Sequence, residues 1–333
     1  MSAELKGARV LVTGADGFIG SHLVERLVTL GARVRAFVYY NSWNQLGWLA
    51  DVPKEVRDSI EVIGGDIRDA ERVRQAVADT SHVFHLSSLI AIPYSYHAAR
   101  SYVETNVTGA LNVLQACREN SSLVQLVHVS TSEVYGTAQR VPIDEAHPLV
   151  GQSPYSASKI GADKIAESFH LSFNLPVVTA RPFNTFGPRQ TARAVIPTIA
   201  AQLLSGVREL KLGALSPTRD FNFATDTADG MIALATCRAA IGRTVNIGSG
   251  EEWSIGQTAE MLMDIVGNKV PVITEEARMR PAGSEVNRLL ADNRLIHSLT
   301  GWRSAVPFRD GLAKTVDWIR RNLDKFDAHR YAL

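Results

Sequence analysis

The chain has 333 residues, 45% hydrophobic and 21% charged, with a formal net charge of +1. That composition is globular and long enough for one large domain or two modest ones. A near-neutral balance lacks the basic face of a nucleic-acid protein, and no apolar run reaches membrane-spanning length, so neither nucleic acid nor membrane is an expected partner.

The N-terminus, MSAELKGARVLVTG, passes from polar to strand-like without a long apolar segment, unlike a secretory signal, and the expected location is the cytoplasm. Short β-branched runs then alternate with helical patterns. ARVLVTG reads as a strand, FIGSHLVERLVTLG as a helix closed by Gly31, RVRAFVYY and IEVIGGD as strands, and ERVRQAVADT as a helix. HVFHLSS is a fourth strand, SYVETNVTGALNVLQACREN a helix, and LVQLVHVST a fifth strand. YSASKIGADKIAESFHLSF follows as a long helix and LPVVTARPF as a sixth strand. Strands this apolar, separated by helices, imply an α/β fold: a doubly wound, Rossmann-type parallel sheet covered on both faces.

After Pro182 the pattern becomes irregular, with Pro and Gly punctuating NTFGPRQTARAVIP, GALSPTRDF and ARMRPAGSEV. This reads as a smaller α+β region laid over the sheet. The expected division is residues 1–181 for the sheet domain, with 224–250 returning to it through TVNIGSG as a seventh strand. Residues 182–223 and 251–333 form the second region. Cys117 and Cys237 fall in apparently helical stretches and read as packing residues; no disulfide or metal site is expected.

The first strand runs into TGADGFIG, placing Gly14, Gly17 and Gly20 at G-x-x-G-x-x-G spacing. Glycine permits a tight turn, lets the backbone approach a pyrophosphate and allows close helix–sheet packing, while the next helix points its N–H groups at the phosphates. The strand before and the helix after support a dinucleotide site, which also draws in Asp16, Phe18 and Ile19. An acid at the end of the second strand would hold the adenosine 2′-hydroxyl. Tyr39, Tyr40 and Asn41 stand there instead, so NAD and NADP both stay open. Asp66, followed by Ile67 at the end of the third strand, reads as an adenine partner or as the cap of the next helix.

In SPYSASKIGADK, Tyr155 and Lys159 are i and i+4 on one helix and share a face. An ammonium near a phenol favours the phenolate, which can take a proton from a substrate alcohol while hydride leaves the same carbon.

These residues resemble the extended short-chain dehydrogenase/reductases, and more narrowly the nucleotide-sugar epimerases, dehydratases and decarboxylases. The resemblance covers nearly the whole chain: TGADGFIG, the Tyr155/Lys159 pair, the strand-end Thr131, VFHLSS, VETNVTGALNVL around Asn106, RPFNTFGPR, PTRDFNF and LLADN. It implies a retained, recycled NAD or NADP, with Leu86, Ser87, Ser88 and Asn106 joining the glycine loop, Tyr39, Asn41 and Asp66 around the cofactor. It implies a nucleoside-diphosphate sugar held by the C-terminal region, with Asn184, Arg189, Arg219 and Glu285 as contacts. It also implies a homodimer formed through a four-helix bundle, built here from the helices at 101–119 and 155–173.

The choice of reaction turns on HVSTSEVYGT. An epimerase needs only oxidation at C4, rotation of the keto sugar and hydride return. A 4,6-dehydratase also needs a base for the C5 proton, and Glu133, two residues beyond Thr131, suits that work. Thr131-Ser132-Glu133 resembles the triplet of GDP-mannose 4,6-dehydratases, whereas dTDP-glucose 4,6-dehydratases carry Asp where Ser132 stands. Glu133 is then base and acid, with Ser132 assisting the leaving water. The same run also resembles UDP-glucuronate decarboxylases. YYNSWNQLGWL, RQTARAVIPTI and RPAGSEVNRLLADN together resemble the UDP- or GDP-N-acetylglucosamine 4,6-dehydratases of the legionaminic acid type. The order of expectation is dehydratase, decarboxylase, epimerase; a dinucleotide-binding sensor is disfavoured because Thr131, Glu133, Tyr155 and Lys159 are all present.

Overall fold

The computed structural model describes residues 2–279 and 281–327. Six apolar segments of the first half form parallel strands: β1 (Arg9–Thr13), β2 (Arg33–Tyr39), β3 (Glu61–Gly65), β4 (His82–His85), β5 (Gln125–Val129) and β6 (Val177–Pro182). Three shorter strands follow, β7 (Asn184–Phe186), β8 (Leu210–Leu212) and β9 (Thr218–Phe223). The chain then returns through β10 (Thr244–Ile247), which pairs with β6 from Thr244↔Thr179 to Ile247↔Pro182. The resulting seven-stranded sheet has the order β10-β6-β5-β4-β1-β2-β3.

Helices cover both faces, which is why the strands carry so little polar sequence. On one side α1 (Phe18–Thr29) and, later in the chain, the helix Ala224–Ala235 bury Leu23, Val24, Leu27, Met231 and Leu234 against β1, β5 and β6. The other side carries α2 (Ala70–Val77), α3 (Gly109–Glu119) and α4 (Pro154–Phe173), through Val73, Val113, Leu114 and Phe169. β2 and β4 flank β1 and the strand order reverses there, so a crevice opens beyond the carboxyl ends of β1 and β4.

The helix expected over 101–120 is interrupted. A short helix, Ala99–Tyr102, leads into a π-helical turn at Val103–Thr108 before α3 begins. In that wider turn Asn106 faces inward, accepting from the Leu89 N–H at 2.8 Å and donating to the Leu89 carbonyl at 3.0 Å and the Ser158 hydroxyl at 2.9 Å. Long-range bonding of one side chain thus overrides local α geometry. β4 and β5 end sooner than the apolar runs suggest, leaving Leu86–Ser88 and Ser130–Thr131 as loop at the sheet's carboxyl edge.

The second region is built on β9, which pairs with β7, with β11 (Glu252–Ser254) and with β13 (Arg288–Leu289); β8 pairs with β12 (Val272–Thr274). Its core is aromatic: Phe186 meets Phe221, Phe223 and Phe308, and the Phe308 ring stacks on Phe221 at 5.2 Å. Asp220 on β9 ties this region to the sheet by accepting from the N–H groups of Ser249, Gly250 and Ala291 at 2.8–3.1 Å.

Both cysteines are free thiols: Cys117 is buried in α3, while Cys237 falls just past the end of the Ala224–Ala235 helix rather than within it. Among the described residues no cluster could hold a metal, and no helix is long and apolar enough to cross a membrane.

Candidate active site

A cavity of about 980 Å³ runs along the carboxyl edge of the sheet and under the second region. Its floor begins at the glycine turn. Gly14 has φ +67, and a Cβ there would lie 2.9 Å from the Ser87 N. A Cβ on Gly20 would lie 2.1 Å from the Gly14 carbonyl oxygen, so α1 starts hard against the turn. Thr13 accepts from the Leu86 and Ser87 N–H groups at 3.1 and 3.2 Å, pinning the two loops together. The α1 N-terminus has no side-chain cap and no acid in its first turn. Its N–H groups therefore suit an anion, and the bare glycine cradle leaves room for a pyrophosphate.

Gly14, Asp16, Gly17, Phe18 and Ile19 line this end of the cavity. Tyr39 at the end of β2 and Asp66 and Ile67 just past β3 face them, with Leu86, Ser87 and Ser88 from the loop after β4. Burial pushes the Asp16 carboxyl up, against its hydrogen bond from the Tyr39 N–H at 3.1 Å. Asp66 is gripped by Arg68, with contacts of 2.6–3.1 Å that hold its carboxyl below the usual range. The helix cap is not Asp66 but Asp69, which accepts from the N–H groups of Glu71 and Arg72. Asn41 is not part of the lining; it staples its own loop by exchanging hydrogen bonds with the Gln45 backbone. Asn106 and Lys159 also lie behind the wall rather than on it.

At the end of β5, Thr131 caps a 3-10 turn, Ser132–Tyr135, by accepting from the Glu133 N–H at 3.2 Å. That turn brings Thr131, Ser132 and Glu133 to the cavity opposite Tyr155, at the start of α4. Ser132 and Glu133 are buried polar side chains, 2% and 9% exposed. Burial raises the Tyr155 phenol well above its ordinary value; the hydrogen bond with Thr131 opposes this, and the Glu133 charge adds to it. Lys159 donates to the Val129 carbonyl at 2.7 Å, and its ammonium is lowered to about 8 by burial, with Asp163 pulling the other way. The expected lowering of the phenol by the lysine is thus overridden here: desolvation dominates, and the lysine is anchored to the strand end instead.

A buried polar chain supports these groups from behind. Asp163 lies one further turn along α4 and meets His128 at 3.2 Å and Arg181 at 2.9 and 3.1 Å. Arg181 reaches the Tyr135 hydroxyl at 3.0 Å, which donates to Asn246 at 2.7 Å. Burial pushes the Asp163 carboxyl up most strongly, but the His128 hydrogen bond and the Arg181 charge together bring it below the ordinary value. The spacing of Tyr155, Lys159 and Asp163 held that signal, yet pairing with β5 and β6 only exists once the sheet forms.

The other half of the cavity belongs to the second region. Asn184, Arg219 and Glu285 line it. The Asn184 Oδ1 is buried without a hydrogen-bond partner, and Arg219 stands 3.5 Å from Glu285. Arg189 does not join them. It turns toward α1, where it pairs with Glu25 and bonds the His22 Nδ1 at 2.9 Å. Burial and the Arg189 charge drive that histidine down to about 3. Gln190 and Arg193 enter the lining in place of Arg189, together with Tyr94 from the short helix Ile92–Ser95 that follows β4. The RQTARAVIP stretch signalled the segment but not which of its side chains faces inward.

A family model described as GDP-mannose 4,6 dehydratase matches residues 11–315. A dTDP-glucose 4,6-dehydratase of Actinoplanes sp. is 31% identical, the match covering 94% of this chain and 98% of the relative. UDP-glucuronic acid decarboxylase 1 of Xenopus tropicalis is 28% identical over 99% of this chain and 76% of its own length. A UDP-glucuronic acid 4-epimerase mutant of Bacillus cereus, crystallised with NAD and a fluorinated UDP-glucuronic acid, superposes with a TM-score of 0.86 at 26% identity. That superposition covers 94% of this chain and 99% of the epimerase. The chain belongs to the GDP-mannose 4,6-dehydratase family.

Proposed function

We propose that this family member is an NAD-dependent nucleotide-sugar 4,6-dehydratase that converts UDP- or GDP-N-acetylglucosamine, or a related nucleotide hexose, to the 4-keto-6-deoxy sugar. The observation that carries this reading is Glu133: a carboxylate buried beside the Tyr155 phenol, which C4 hydride chemistry alone does not require. The dehydratase relatives and the glycine cradle support it. The acetamido sugar rests on the YYNSWNQLGWL, RQTARAVIPTI and RPAGSEVNRLLADN segments; Arg280, which opens the last, lies outside the described residues.

NAD, when bound, supplies the acceptor for the C4 hydride and the donor that returns it to C6. Tyr155 takes the proton of the sugar 4-hydroxyl while Thr131 holds that oxygen, and the Lys159 ammonium behind it works against the burial that opposes the phenolate. The resulting C4 ketone acidifies C5. Glu133 removes the C5 proton, the C6–O bond breaks, and the same carboxyl, assisted by Ser132, protonates the departing hydroxide as water. Asn184, Arg219 and Glu285 hold the nucleotide and sugar meanwhile; an arginine beside a diphosphate makes a charge-assisted contact. Residues 1–181 and 224–250 serve the cofactor, and the remainder the nucleotide sugar. The helix pair around α3 and α4 forms the homodimer contact, which light scattering would test: a monomer at micromolar concentration refutes it.

A second reading, decarboxylation of UDP-glucuronate, draws on the Xenopus tropicalis relative. Mass spectrometry of products from UDP- and GDP-N-acetylglucosamine, UDP-glucose and UDP-glucuronate separates the two. Loss of water from a hexose or N-acetylhexosamine supports the dehydratase; loss of carbon dioxide from the uronate, with the other sugars unchanged, overturns it.

A further inference from the structure

The end of β2 lacks the acid that usually reads the adenosine ribose, since Tyr39, Tyr40 and Asn41 occupy it. The tertiary structure delivers a carboxylate to that place from the glycine turn. Asp16 Oδ2 lies 3.1 Å from the Tyr39 N, so residue 16 spans from β1 to the tip of β2. Its position is fixed from outside as well. The Trp48 N–H donates to the Asp16 carbonyl at 2.9 Å. Gly47, at φ +54, has no room for a side chain, because a Cβ would meet that same carbonyl oxygen at 2.6 Å. The loop after β2 therefore closes directly onto Asp16.

The charges around this point do not favour a second phosphate. Arg68, which lines the same end of the cavity, is already paired with Asp66 at 2.6 Å and stands 3.8 Å from Glu104. We propose that Asp16 selects the dinucleotide, accepting hydrogen bonds from the ribose hydroxyls at the β2 end and repelling the 2′-phosphate that distinguishes NADP. A strand-end acid is thereby replaced by one donated from the glycine loop. This rests on the dinucleotide half of the site and is independent of which sugar occupies the other half.

Direct titration of the full chain with NAD+ and NADP+, after removal of carried-over nucleotide, tests it without turnover, so a wrong substrate assignment cannot mask the result. The wild type should bind NAD+ tighter by roughly tenfold or more, the scale of one like-charge contact near a protein surface. Asp16→Asn keeps an acceptor for the Tyr39 N–H but removes the charge, and should narrow the ratio by roughly tenfold, mainly by tightening NADP+. Asp16→Glu should keep the preference for NAD+. Equal wild-type affinities, or an unchanged ratio in Asp16→Asn, would overturn the proposal. If the variants do not fold, competition by 2′,5′-ADP against 5′-AMP on the wild type decides: equal binding of the two overturns it, and rejection of the 2′-phosphate sustains it.

Discussion

Asp163→Asn changes almost nothing in volume and removes one buried charge. Asp163 is 4% exposed, as is its partner Arg181, while His128 is 1% and Lys159 3% exposed. Taking the carboxylate away leaves two buried cations facing an amide, and breaking a buried pair in this way costs about 3–5 kcal/mol. With an unfolding entropy of roughly 2.1 cal/mol/K per residue, a chain of this length should lose about 4–7 °C in Tm. The deficit also has a pH signature. The folded Asp163 carboxyl titrates below its ordinary value, so its contribution is present above the usual aspartate range and is lost as pH falls through the folded value. The gap between wild type and variant should therefore close in acid. Activity should move at the other end. Asp163 raises the Lys159 ammonium, which burial lowers to about 8 even with that carboxylate present, so the variant's alkaline limb should shift to lower pH. Calorimetry and a kcat/KM–pH profile read both. A Tm change below about 1 °C together with an unmoved alkaline limb would refute the claim that this network supports the lysine.

Three further substitutions probe the chemistry and the cradle. Glu133→Gln should cut water loss by about 10²-fold or more while cofactor and substrate still bind, and the absorbance of reduced nicotinamide should accumulate because the stored hydride has no acceptor; near wild-type product formation would make the base assignment wrong. Tyr155→Phe should block the first oxidation, lowering kcat by about 10²–10⁴-fold with no build-up of reduced cofactor. Gly20→Ala forces its Cβ against the Gly14 carbonyl, at 2.1 Å in the present backbone, so α1 must shift. That should cost about 1–3 kcal/mol of stability and weaken dinucleotide binding measured by titration; unchanged affinity would show that the helix start tolerates displacement.

The alternation of apolar runs and helical patterns was enough to read the doubly wound sheet, because a strand covered on both faces has no polar side to disguise it. The glycine turn and the Tyr155/Lys159 pair were legible for the same reason: each is a local spacing on one element. Arg189 was misplaced because the sequence around it reports a turn but not its direction, and only the packed α1 offers it Glu25 and His22. The π-helical turn at Val103–Thr108 was invisible because its cause, the bonding of Asn106 to Leu89 and Ser158, is long-range. The same holds for electrostatics. Sequence placed an ammonium one turn from a phenol, but the depth of burial decided that desolvation raises the phenol and lowers the ammonium, since the dielectric around a group belongs to the folded packing. So the chain alone determined its class of fold and offered the candidate groups for the site, each read from short-range periodicity and side-chain chemistry. Tertiary structure decided which charges meet, Asp163 with Arg181 and Asp16 with the tip of β2, because contacts between distant segments arise only when the strands stand side by side.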